Sequence, residues 1–176
     1  MVFAFRGDRS TAFDADFRSK LKAEKDGTEP GPTVEECLLY AGHTGVSTDA
    51  GSTVYGFNPD GSGMPTWKLI DDLKNGDSFP GIVKDDTAVF AKAKGLGLPS
   101  WSFEVLLPDP HFTHFGTTLS AEITKSKYSY GYPNGHGDCN CTTWLERLGL
   151  PLLSGRMIEF TGLLAKAPHT RRFGCT

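Results

Sequence analysis

Long hydrophobic runs are missing from this sequence. No stretch approaches the roughly 20 consecutive apolar residues that span a bilayer, so no transmembrane segment is expected. The opening residues, MVFAFRGDRSTAFDADF, have no basic start followed by an apolar core, and no secretory leader is read there. The expected setting is the cytoplasm, or export by a route that needs no classical signal. A strong charge of one sign is missing too. Lys and Arg total 18 against 21 Asp and Glu, a net charge of −3, which gives nucleic acid no electrostatic footprint as a partner. Cysteine is scarce. Cys37, Cys139, Cys141 and Cys175 are unevenly spaced, a poor disulfide framework for a chain of this length. No internal repeat is visible.

What is present fits one domain with a real core: 176 residues, 38% hydrophobic and 22% charged. The 21 glycines and 11 prolines imply many turns and short elements. The segment TEPGPT reads as a boundary. It divides an N-terminal arm or extension, residues 1–30, from a main domain, residues 31–176. Within the arm, DADFRSKLKAEKDG is helix-compatible. Thr33 and Glu36 fit a capping box for a short helix, TVEECLLYAG, although a strand could begin within LLYAG. Two β-prone runs flank DAGS, a hairpin signal. A turn between Ala50 and Gly51 would pair Val46 with Tyr55 and His43 with Asn58. Alternation then places Val46, Tyr55 and Phe57 on one face and His43, Gly45, Gly56 and Asn58 on the other.

Further on, PTWKLIDDLKNG reads as a helix stopped by Gly76. PGIVKDD reads as a strand, DDTAVFAKAKGLG as a helix, Trp101 to Pro108 as a strand, and DPHFTHFGTTLSAEITKSK as a helix. YSYGYPNGHGD is expected to be loop. From Asn140 to Leu148, Trp144, Leu145 and Leu148 share a helical face that Gly149 and Pro151 terminate. RMIEFTGLLAKAP suits either a strand or a helix. Mixed strands and helices in this order give an α+β class.

Cys141 would open the last of these helices, capped by Asn140 or Asp138. The positive end of a helix favours a thiolate, and free N–H groups there suit an oxyanion. The competing reading is a small buried residue beside Trp144. A thiol nucleophile needs a base, and His43 lies among small residues, AGHTG, with Gly45 leaving room for substrate. Asn58 would orient His43 by accepting from its ring N–H, unless FNPDG is only a turn. Tyr130, in the aromatic loop before the cysteine, would form a substrate wall or a packed loop. His111 and His114 would line the same cleft or stay exposed. A metal reading would use His136, Cys139, Cys141 and His169 or Cys175. However, Cys-x-Cys is tighter than usual zinc spacing and no second pair follows, so no metal or other cofactor is expected.

AGHTGVS…YGFNP together with NCTTWLERLG resembles the circularly permuted branch of the papain-like NlpC/P60 superfamily. That branch includes lecithin:retinol-acyltransferase-like enzymes and bacterial effector hydrolases. The likeness spans about 110 residues, Leu38 to Leu148, on short motifs. It implies a permuted papain-like fold, a Cys141 nucleophile, a His43 base and a polar third residue. The substrate would be a peptide, amide or acyl compound, with Asn140, Gly45 and Tyr130 near it. Where some relatives carry a second histidine, this chain has Tyr55 and Asn58. Where the acyltransferases have Glu-His after Asn-Cys, it has Thr142-Thr143, which favours a peptidase or amidase. An effector or toxin role, with a cognate inhibitor or immunity protein, follows from the same likeness. A rival likeness starts from VFAFRGDRS, similar to the arginine strand of ADP-ribosyltransferase toxins. There Arg6 would hold NAD and Ser47-Thr48 would supply the Ser-Thr strand, but the paired Glu-x-Glu or Gln-x-Glu of that family is absent. A third possibility is a non-catalytic binding module of the same fold.

Overall fold

A computed structural model describes residues 1–131 and 139–150. Among these the class is α+β. One six-stranded antiparallel sheet has the order β5-β1-β2-β3-β4-β6, and six helices accompany it. In chain order the elements are β1 (Val2–Arg6), α1 (Thr11–Lys25), α2 (Val34–Ala41), β2 (Gly42–Val46), β3 (Tyr55–Pro59) and α3 (Thr66–Lys74). They continue with β4 (Phe79–Asp85), α4 (Thr87–Gly95), β5 (Ser100–Phe103), α5 (Asp109–Thr124), β6 (Ser129–Tyr130) and α6 (Cys141–Arg147).

Two cores, one on each face, explain why the strands are where they are. On one face Val2, Val46, Phe57 and Val83 pack against Phe115 and Leu119 of α5 and Trp144 and Leu145 of α6. The Phe57 and Trp144 rings stack at 5.5 Å between centroids. On the other face Phe5 packs with Leu38 and Leu39 of α2 and Val89 and Ala93 of α4. Outside these, α1 lies on α2, where Phe17 stacks on Tyr40 at 4.1 Å. Trp144 is wholly buried, and truncating such a side chain costs about 3–5 kcal/mol.

The N-terminal arm expected from the sequence is not an arm. β1 lies inside the sheet, paired with β2 on one side and β5 on the other. VFAFR escapes a strand pattern because it is buried from both faces and so lacks alternation with polar residues. The Trp101–Pro108 strand is shorter than expected. Its last rung is Val2↔Phe103, after which Val105 and Leu107 still pack on the core without a strand partner. Part of the expected YSYGY loop is strand, since Ser129 and Tyr130 pair with Pro80 and Phe79. The Thr33–Glu36 capping box is present in full, and the hairpin register is the one expected, with Val46 opposite Tyr55. RMIEFTGLLAKAP lies outside the described residues.

Candidate active site

The β2–β3 ladder consists of Gly45↔Gly56 and Val46↔Tyr55. His43 and Thr44 lie beyond its last rung, and α6 brings Cys141 to that opening. Asn140 sets the helix start. Its side-chain oxygen accepts from Thr142 N–H at 2.9 Å and Thr143 N–H at 3.0 Å, while Thr143 Oγ1 accepts from Asn140 N–H at 2.9 Å. Thr142 Oγ1 meets Thr44 Oγ1 at 3.1 Å, which ties the first turn of α6 to β2. Cys141 is half-buried. Its sulfur lies 3.9 Å from Thr142 Oγ1, and His43 and Thr44 are the groups that act on its charge.

His43 is enclosed, only 1% exposed, with Phe5 and Phe90 rings at 6.4 and 5.7 Å. Its Nε2 lies 2.9 Å from Asp86 Oδ2, which leaves Nδ1 as the ring nitrogen for the thiol. Asn58 Nδ2 donates to the same Asp86 oxygen at 2.9 Å. Gly56 makes this cluster possible. A Cβ there would sit 2.1 Å from Asp86 Oδ2 and 2.2 Å from His43 Nε2. Asp86 occupies the N-cap position of α4 but makes no capping bond. Asp85 serves Thr87 N–H instead, at 3.0 Å. Val54 O accepts from Asp86 N–H at 2.8 Å and Val54 N–H donates to Thr87 Oγ1 at 2.8 Å, so the approach to β3 fixes the start of α4.

The charges follow from these contacts. Burial alone would lower the His43 pKa, but hydrogen bonds to Asp86 and Cys141 outweigh it and lift the value to about 9. Burial alone would raise the Cys141 thiol. The hydrogen bond and charge of His43, with Thr44, outweigh that and bring it down to about 7. The order is inverted from that of the free side chains, so proton transfer from sulfur to imidazole gives a thiolate–imidazolium pair at neutral pH.

Cys141 and His43 are thus together. Asn58 is on the expected face but does not accept from His43. Asp86 takes that place, because a carboxylate reaching in from α4 lies over Gly56 between the two. Gly45 lines no cleft, since a Cβ there would meet Val54 Cγ1 at 2.8 Å, Tyr55 O at 2.9 Å and Phe90 Cε2 at 3.0 Å. Asn140 is committed to capping, and the Tyr130 ring packs on Phe57 at 5.6 Å. The expected free N–H groups at the helix start are mostly taken, because Asn140 binds two of them. The Cys141 N–H alone has no partner in that turn among the described residues. Cys139 is buried, its sulfur 4.0 Å from Ser129 O. His111 and His114 are exposed on α5. No metal-binding cluster occurs among the described residues, and His136, His169 and Cys175 lie outside them. Arg6 and Ser47 sit at opposite ends of the β1–β2 pair, where Arg6 faces Gly42 and Val2 faces Val46. A shared NAD site on them has no geometric basis.

Asp86 is the residue that the sequence reading missed. DDTA looks like an ordinary helix cap, and only the doubled aspartate hinted that one carboxylate was spare. Compared with known proteins, the chain matches no family model, no curated protein and no solved structure.

Proposed function

We propose that the protein is a thiol hydrolase, a peptidase or amidase of permuted papain-like arrangement. The observation that carries the reading is the buried His43, bridged between Asp86 and the Cys141 thiol, with that thiol brought down to about 7. The chain order also supports it, with a histidine strand first and a cysteine-opened helix late.

In this mechanism the Cys141 thiolate attacks the carbonyl carbon and a C–S bond forms. The Cys141 N–H donates to the oxyanion. The His43 imidazolium gives its proton to the leaving amine as the C–N bond breaks. His43 then takes a proton from water, the hydroxide adds to the thioester, and the C–S bond breaks to return the thiolate. Asp86 holds the imidazole in its tautomer and stabilises the imidazolium. Asn58, donating to Asp86, keeps that carboxylate aimed. The resemblance adds an effector or toxin role with a cognate inhibitor protein as partner.

The test is trapping of the acyl-enzyme. The protein is incubated with a panel of activated peptide and amide esters, quenched in acid and mapped by mass spectrometry. An adduct on Cys141 that disappears in Cys141→Ala is the expected result. Adducts confined to other cysteines, or no adduct on any, would overturn the reading.

A further inference from the structure

We infer that Arg6 selects the substrate, and that the group it selects is a carboxylate carried close to the scissile acyl bond. This rests on the thiol-hydrolase reading above and names a substrate class for it.

The placement comes from the sheet register. Val2↔Val46, Ala4↔Thr44 and Arg6↔Gly42 are successive same-face pairs of β1 and β2. Residues opposite one another in antiparallel strands share a face, as do residues two apart. Val2 and Val46 pack with Trp144, and Thr44 bonds Thr142, so this is the α6 face. The odd residues of β1 face the other way, as the contact between Phe5 and His43 shows. Arg6 therefore rises on the Cys141 side of the sheet, one rung beyond Thr44. Sheet spacing puts the Arg6 and Thr44 Cα atoms about 8 Å apart. Thr44 is joined to the sulfur through Thr142, whose Oγ1 lies 3.1 Å from Thr44 Oγ1 and 3.9 Å from Cys141 Sγ.

On the β2 side no side chain shares that rung, because the partner there is Gly42, and on the β5 side the neighbour is the uncharged Pro99. Two close approaches hold the strand end there. A Cβ on Gly7 would lie 2.1 Å from Tyr40 O, and one on Gly42, whose φ is 86°, would lie 2.8 Å from Gly7 N. Arg6 N–H donates to Pro99 O at 2.9 Å, so the backbone is fixed while the side chain is exposed. Among the described residues no ion pair involves Arg6. Asp8, the nearest acid in sequence, accepts from Ser10 N–H at 2.8 Å, and Arg9 lies over the Tyr40 ring at 4.1 Å. A guanidinium held at the lip of a thiol site, and without a carboxylate partner among the described residues, is a ready partner for a planar anion, which it can bind through two parallel hydrogen bonds.

The test compares two alkylating reagents that differ in charge. Iodoacetate carries the carboxylate and iodoacetamide is its neutral analogue. Cys141 alkylation is followed by mass spectrometry at pH 7.5 and low salt, on wild type, Arg6→Gln and Arg6→Lys. His43 attracts the anion equally in all three, so the iodoacetate-to-iodoacetamide rate ratio isolates residue 6. The expected result is a ratio about 3- to 10-fold lower in Arg6→Gln and intermediate in Arg6→Lys, which keeps the charge but not the paired hydrogen bonds, with the difference shrinking in 0.5 M salt. Arg6 is exposed, and an unchanged iodoacetamide rate serves as the folding control. An unchanged ratio alongside a reactive Cys141 overturns the Arg6 assignment and leaves the hydrolase reading standing. A Cys141 unreactive to both reagents in wild type overturns the hydrolase reading, and this inference with it.

Discussion

Two helices of this protein carry a cysteine near a capped N-terminus, and the two thiols have opposite chemistry. In α2 the Thr33–Glu36 capping box is followed by Cys37. In α6 the Asn140–Thr143 box has Cys141 as its first residue. Both thiols are half-buried. Burial pushes Cys37 up to about 12, and Glu36 and Glu24 add to the rise. Cys141 comes down to about 7 because His43 and Thr44 face it. A helix start is therefore common to both and decides neither. What decides is whether a cationic group faces the buried sulfur: the sheet supplies His43 to Cys141, whereas burial, reinforced by two glutamates, prevails at Cys37.

The largest effect expected is the contrast itself. With iodoacetamide at pH 7, about half of Cys141 but only about one part in 10⁵ of Cys37 is thiolate. Because the more basic thiolate is also the better nucleophile, mapped labelling should favour Cys141 by roughly two to three orders of magnitude, and comparable rates would erase the distinction. Next is His43→Ala. If the thiol returns to its ordinary 9.0, its thiolate fraction at pH 7 falls about 50-fold. Cys141 labelling should fall with it while Cys37 is unmoved. Asp86→Asn removes the acceptor that supports the imidazolium. Labelling at pH 7 should drop on the order of 10-fold, with the Cys141 titration shifted upward. Thr44→Val removes one hydroxyl donor and keeps the N–H. A loss of about 2- to 5-fold is expected, visible as a small upward shift of the same titration.

A pH series separates the two partners. Cys141 is deprotonated as pH rises through about 7, so its labelling should climb there and then stay level. Turnover also needs the His43 proton for the leaving group, and that proton is lost as pH rises through about 9. Turnover should therefore be bell-shaped where labelling is not. A bell in the labelling curve would place the proton of His43 in the attack step instead.

How much of this could be read from sequence depends on whether the signal was local. The α2 capping box, the Val46–Tyr55 register and the helix begun by Cys141 are encoded within a few residues, and each was legible. His43 and Asn58 were legible as a pair on one face because strand alternation carries over a whole hairpin. β1 was not, because a strand buried on both faces has no period of two to display. Asp86 was not either. Its role depends on Gly56, a helix and a strand away in the chain, leaving a space that only a side chain from elsewhere could fill. Gly45 was misread for the complementary reason, since its missing side chain makes room for packing and not for substrate.

The bond between Thr44 and Thr142 closes a separation of 98 residues. During synthesis the sheet strands β1 to β5 and the whole His43–Asp86–Asn58 cluster are made before the segment that carries Cys141. Chains emerge in order and their early parts are free to form contacts first, while contacts so distant in sequence form late. His43, Asp86 and Asn58 are thus all synthesised before the cysteine that His43 faces, so on the proposed reading the base precedes its nucleophile along the chain. The emerging chain carries no activated thiol while most of it is being made.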